Sequence, residues 1–234
     1  FTSTANCSSR ITYIDGEEGE LLYRGYPIEQ LAQHSSMIEV CYLLLEGELP
    51  NAAQLGRWTE DVRTHTYVHK NIEEFLAGFR YDAHPMGMLL GVVGALSTFY
   101  PDAKNIHDPD NRYIQRVRLM AKIPTLAAFC FRQTRGLPYE FPRNDLDYIG
   151  NYVNMTFSIG GHHQPNPVLQ RALEILLILH GLDSQHKVPP HRFPFVNLFA
   201  FRVRVLEGGE RRLGRRGCAQ RLLDRPVADR VEGD

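Results

Sequence analysis

Between Pro27 and His180 apolar residues recur at three- and four-residue spacing in run after run, each opened by a capping signal or closed by Gly or Pro. That pattern confines the chain to a helical fold. "IEQLAQHS" opens the series. In "SMIEVCYLLLEGELP", Ser36 and Glu39 have the spacing of a capping box, and Gly47 and Pro50 stop the run. This second helix is apolar over most of its surface and is expected to be deeply buried. Asn51 with Gln54 repeats the cap ahead of "LGRWTEDVRTHTYVH", and "NIEEFLAGF" follows as a short amphipathic helix. Pro85 opens "PMGMLLGVVGALSTFY", whose small residues Gly87, Gly91, Gly94 and Ala95 suit close approach by another helix. "RYIQRVRLMAKIPTLAAFCFRQTRG" is periodic throughout, with Pro124 predicting a kink and Gly136 a stop. "DLDYIGNYVNMTFS" is another helix. Asn166 and Pro167 start the last one, on which Leu169, Leu173, Leu176, Leu177 and His180 share a face. The count is roughly eight helices without a repeat at fixed period. One strand pair is expected, Ile11 to Ile14 and Leu21 to Tyr23, around the turn-rich segment 15–19.

After Lys187 the pattern stops. Residues 188–234 hold ten Arg and no Lys, without helical or strand periodicity. The aromatics there, Phe193, Phe195, Phe199 and Phe201, precede the arginines rather than alternating with them, which argues against a nucleic-acid tail. The segment reads like the wrong frame of a GC-rich coding sequence, unstructured or out of frame.

A net charge of −1 gives no basic face for nucleic acid or acidic membrane. No apolar run of about 18 residues spans a bilayer, and no signal peptide begins at Phe1. Cys7, Cys41, Cys130 and Cys218 lack CxxC spacing, which points to reduced thiols and a cytoplasmic location.

Local chemistry is sparse. His65 and His69 have the spacing of two metal ligands on one helix face, but a solvated face is the better reading, and His162–His163 lack a partner cluster. No metal site is expected. Asp108 and Asp110 suit turns. His84 suits a helix corner, satisfying backbone groups there. His180 ends an apolar helix, where it is either a core residue or a group that meets an anion.

"FTSTANCSSRITYIDGEEGELLYRGYPIEQLA", "EVCYLLLEGELP", "HPMGMLLGVVGAL", "KIPTLAAF", "PRNDLDYIGNYVNMTFS" and "NPVLQRALEILLILH" resemble successive segments of bacterial citrate synthase of the hexameric type, from Phe1 to His180. The resemblance implies an all-α fold: residues 1–187 would be part of the large helical domain, with one short β-hairpin near the N-terminus, and 188–234 an unmatched tail. It implies homodimers or homohexamers in the parent enzyme, with the Gly-rich helix after Pro85 in the dimer contact. It also implies condensation of the substrates acetyl-CoA and oxaloacetate to citrate and CoA, with no metal and no cofactor.

The family's catalytic residues, an Asp, a His in "GPLHGGAN" and a His in "GxGH", have no counterpart in this chain, so it is expected to lack activity alone. Relatives continue "LILH" as "ADHEQNASTSTVR", whose second histidine contacts oxaloacetate. His180 matches the first histidine and is the expected substrate-binding residue, while Asp183 stands in the second's place. Hexameric relatives inhibited by NADH use groups matched here by His65, Tyr100, Arg118 and Lys122. Thr64, Tyr67, Ile159 and Gly161 depart from that pattern. The alternatives are 2-methylcitrate synthase, taking propionyl-CoA on the same fold, and a non-catalytic helical dimerisation or regulatory module.

Overall fold

The computed structural model describes residues 10–15, 17–105, 107–160 and 164–180, all within one of the chain's two units, Phe1–Gln185. The expected hairpin is present, as β1 (Thr12–Asp15) and β2 (Glu20–Tyr23), antiparallel with Thr12 opposite Tyr23 and Ile14 opposite Leu21. The Asp15 carboxylate closes its turn by accepting from the backbone N–H groups of Glu17 (2.9 Å) and Glu18 (3.1 Å). The sequence reading missed a third strand, β3 (Tyr26–Pro27). Arg24 and Gly25, at φ 52° and 88°, turn the chain back onto β2 there. Proline fits because β3 lies at the sheet edge, where its missing N–H is not needed.

Eight α-helices follow among the described residues: α1 (Ile28–His34), α2 (Met37–Glu46), α3 (Ala52–Thr64), α4 (Lys70–Ala77), α5 (Pro85–Leu96), α6 (Pro109–Arg135), α7 (Tyr148–Phe157) and α8 (Pro167–Leu179). Both capping boxes form as expected: Ser36 with Glu39, and Asn51 with Gln54. Gly47 ends α2 at φ 100° and Gly136 ends α6 at φ 63°, conformations that cost a side chain little only when it is absent.

Other boundaries moved. α3 stops at Thr64, so His65 and His69 do not share a helix face: His65 is the C-cap of α3, and His69 caps α4 by accepting from Asn71 N–H at 3.1 Å. α2 fully buries only Met37, Val40 and Leu43, and its other apolar residues are half-buried. On α8 the buried residues are Leu173 and Ile178, while Leu176 lies 37% exposed. The glycines of α5 also divide. A Cβ on Gly91 would sit 3.2 Å from the ring of Phe79, just after α4, and 3.8 Å from that of Phe75 on α4, so that glycine admits both rings, whereas Gly87 and Gly94 are exposed.

Among the described residues the core forms three clusters. Tyr23 joins α1, α2, α7 and α8; Ile72, Met88, Val92, Leu126 and Phe129 join α4, α5 and α6; Trp58, Val62, Val117 and Ala121 join α3 to α6. α6 belongs to the last two and is the spine of the unit, about 40 Å long at 1.5 Å per residue. It runs through Pro124 without ending. Proline has no N–H to give the carbonyl four residues back, at Met120. The Tyr148 hydroxyl supplies that donor from α7 at 2.9 Å. Tyr148→Phe is therefore expected to cost about 1–2 kcal/mol in urea unfolding, the cost of a buried acceptor left without its donor; a change below about 0.3 kcal/mol would mean that the carbonyl has another partner.

Candidate functional site

Two groups of side chains singled out in the sequence can be placed. The first is the end of α8. Asn166 starts that helix by accepting from Val168 N–H (2.9 Å) and Leu169 N–H (3.4 Å), with Pro167 in the first turn. Arg171 and Glu174 then fasten it. The Arg171 guanidinium donates to the carbonyls of Ala32 (2.7 Å), Gln33 (2.9 Å) and Ser35 (3.1 Å), which end α1. Glu174 accepts from Met37 N–H at 2.8 Å, at the start of α2, and pairs with Arg171 at 2.7 Å. A cation on a helix C-terminus and a carboxylate on a helix N-terminus are each favoured by the backbone dipoles. His180 follows as the C-cap of α8, half-buried, with ring Nδ1 2.8 Å from the Leu176 carbonyl.

The second group is brought together by tertiary structure. The Arg118 guanidinium lies 4.6 Å from the centre of the Tyr100 ring, and Lys122 Nζ lies 5.7 Å from it. Both are cation–π distances. Lys122 is 3% exposed and donates to the carbonyls of His65 (2.5 Å) and Tyr67 (2.6 Å). Burial, and then the neighbouring Arg118 charge, hold its ammonium down at about 8. Burial raises the Tyr100 phenol, and Arg118 opposes this. His65, Tyr100, Arg118 and Lys122 thus converge, but the lysine spends two of its three donors on the loop after α3, and His65 contributes its carbonyl while its ring Nδ1 turns to Asp61 O at 2.7 Å. That leaves the third Lys122 donor and the Arg118 guanidinium, which lies over the Tyr100 ring.

The other candidates are bland. His84 caps α5 by accepting from Met86 N–H (3.2 Å), as its position suggested, whereas Asp108, expected in a turn, caps α6 by accepting from Asp110 N–H (3.0 Å), and Asp110 lies in the first turn of that helix rather than in a loop. Among the described residues no three His, Cys, Asp or Glu side chains form a metal-sized cluster. No described helix is long and apolar enough to cross a membrane. Cys41 and Cys130 are free thiols. Gly161, His162, His163 and everything after His180, including Asp183, lie outside the described residues. The sequence reading missed Arg132, Arg171 and Glu174. The spacing of Arg171 and Glu174 was a usable signal, and so was an arginine set inside the apolar run "AAFCFR".

This helical unit, with a small sheet at its start and His180 closing its last helix, is a known architecture. A family model described as the C-terminal domain of citrate synthase matches residues 1–184. A peroxisomal citrate synthase from Dictyostelium discoideum is 49% identical over 189 residues, covering 77% of this chain and 38% of that protein. The solved citrate synthase of Pyrobaculum aerophilum superimposes with TM-score 0.70 at 33% identity, over 79% of this chain and 46% of its own. That of Thermoplasma acidophilum, solved as a ternary complex with carboxymethyl coenzyme A and oxaloacetate, gives TM-score 0.71 at 22% identity, over 81% and 48%, and shares the fold. The chain belongs to the citrate synthase family. It spans about two fifths of the length of the curated relative and just under half of each solved chain.

Proposed function

We propose that the chain serves citrate synthesis, the condensation of acetyl-CoA with oxaloacetate and water to citrate and free CoA. The family match over residues 1–184, with 49% identity to the Dictyostelium enzyme, carries this reading. The chemistry requires a base for the thioester methyl, an acid or donor for the enolate oxygen, and positive or hydrogen-bonding groups for the oxaloacetate carboxylates. His180 is read as one of the oxaloacetate contacts. The family's catalytic His and Asp motifs are absent from the sequence, so the 234-residue chain is read as inactive alone, and residues 188–234 as out of frame. Acetyl-CoA is a substrate, and no cofactor or metal is assigned.

A second copy of the chain is the proposed partner of α5, whose outer face presents Gly87, Leu90 and Gly94, with Leu90 56% exposed. That contact fits the dimer unit of a homodimer or of the hexameric bacterial type. Regulation by NADH is read onto His65, Tyr100, Arg118 and Lys122, and their convergence supports it. Buried thiols at Cys130 and, in part, Cys41 suit a reducing compartment, whether the cytoplasm or the organelle named for the Dictyostelium relative.

Recoding the segment after His180 in the frame that restores the family motifs is the test. The recoded chain is expected to release CoA from acetyl-CoA only with oxaloacetate present, to sediment as a dimer or hexamer, and to be slowed by NADH. The 234-residue chain is expected to release none. A recoded chain without CoA release overturns the reading. Faster release from propionyl-CoA moves it to 2-methylcitrate synthase, and if no frame restores the motifs, the non-catalytic helical module replaces it.

A further inference from the structure

The last four carbonyls of an α-helix have no donor within the helix. At the end of α8 the Leu176 carbonyl receives the His180 backbone N–H at 3.1 Å and ring Nδ1 at 2.8 Å. The Ile178 carbonyl receives the Tyr23 hydroxyl at 3.3 Å, a bond made between two residues that are each 0% exposed. A carbonyl can only accept, so a hydrogen bond at this contact requires the proton on Nδ1 and leaves Nε2 as the ring's other polar atom.

Tyr23 reaches this turn from β2, the middle strand of the sheet, whose register is fixed on both sides. Its hydroxyl ties the turn that bears His180 to the sheet, 155 residues away in sequence. The middle of α8 has a separate fastening in Arg171 and Glu174, on the corner between α1 and α2. The last turn is also held by Ile178, which is buried in the core, and by the His180 backbone N–H, so loss of the Tyr23 hydroxyl is expected to loosen the cap without undocking the helix.

We propose that Tyr23 is a positioning residue that fixes the Nδ1–H form and the direction of His180, so that Nε2 is presented to ligand; this rests on the reading of His180 as an oxaloacetate contact. Nitrogen NMR of the His180 ring tests it on the full chain. The native chain is expected to show a single form with Nδ1 protonated, and an Nε2-protonated ring overturns the proposal at once. Tyr23→Phe is expected to replace that signature with a mixture and, in the recoded chain, to weaken oxaloacetate binding about three- to tenfold.

Arg171→Lys is the structural control, expected to lower the urea midpoint while leaving the ring signature in place. If both variants change the signature in proportion to lost stability, Tyr23 is merely structural and the proposal fails. Should Tyr23→Phe not fold, a ring-fluorinated tyrosine at this position keeps the packing while altering the donor, and it must move the His180 signals. A His180 signature that responds to Tyr23 while the recoded chain binds oxaloacetate equally well with and without the Tyr23 hydroxyl upholds the positioning role and rejects His180 as a substrate contact.

Discussion

Replacing Arg132 with methionine is expected to lower the unfolding free energy by about 3–5 kcal/mol, a large share of the 5–15 kcal/mol typical of a domain. The side chain is 1% exposed. Its guanidinium donates to the carbonyls of Pro138, Ser158 (2.8 Å), Met155 (3.2 Å) and Thr156 (3.5 Å), with Glu140 at 3.9 Å. Met155 and Thr156 belong to the last turn of α7, whose carbonyls have no helical donors, and one planar cation satisfies them while opposing the negative end of that helix. Methionine fills most of the same volume, so the loss comes from acceptors left buried and unpaired. Arg132→Lys should fall between, because a single ammonium cannot cover carbonyls spread along a fork. A methionine variant within about 1 kcal/mol of native in urea would show that water or other donors reach those carbonyls.

Stability should also fall steeply in alkali. Burial pushes the thiols of Cys41 and Cys130 up to about 12 and the Tyr139 phenol up to about 12. Tyr148 and Tyr100 are raised by burial too, and Tyr113 by burial and by its hydrogen bond to Asp61. These groups stay protonated in the folded chain at pH values where the unfolded chain has released its protons. Each then removes up to about 1.4 kcal/mol of stability per pH unit. Their contribution is intact below pH 9, where an ordinary thiol titrates, and is lost as pH rises toward 12.

Lys122 works in the opposite direction. Held at about 8 against an ordinary 10.5, it is neutral in the folded chain while still charged in the unfolded one, so over that window it raises stability. Six groups oppose one, and the net expectation is a urea midpoint that changes little up to about pH 9 and then drops continuously. A midpoint that stayed level to pH 11 would mean that these side chains are open to water.

Most helix starts were legible, because their signals are local: Ser36 with Glu39, Asn51 with Gln54, and Asn166 with Pro167 each satisfy N–H groups within three residues. The end of α3 was not, since "THTYVH" carries no stop residue and the helix yields there to Lys122, whose ammonium takes the carbonyls of His65 and Tyr67 from 57 and 55 residues away. The short third strand escaped because two residues carry no periodicity. The convergence of Tyr100, Arg118 and Lys122 was reached through resemblance to the family rather than through spacing. Arg132, Tyr23 and Tyr148 escaped for one reason: each binds a backbone carbonyl, and no pattern of side chains marks which carbonyls a fold will leave without donors.

The backbone hydrogen bond that Pro124 cannot give inside α6 has a consequence for the order of assembly. Helices grow by adding one bond per residue to a costly nucleus, and growth stalls at a residue that cannot donate. During synthesis the segments on either side of Pro124 are therefore expected to nucleate as two separate short helices, each marginal alone. They become one rod only when Tyr148, emerging 28 residues after Met120, docks against the joint. α6, the longest of the described helices, would thus be completed by the next one, and α6 and α7 are expected to enter the folded state in a single cooperative step.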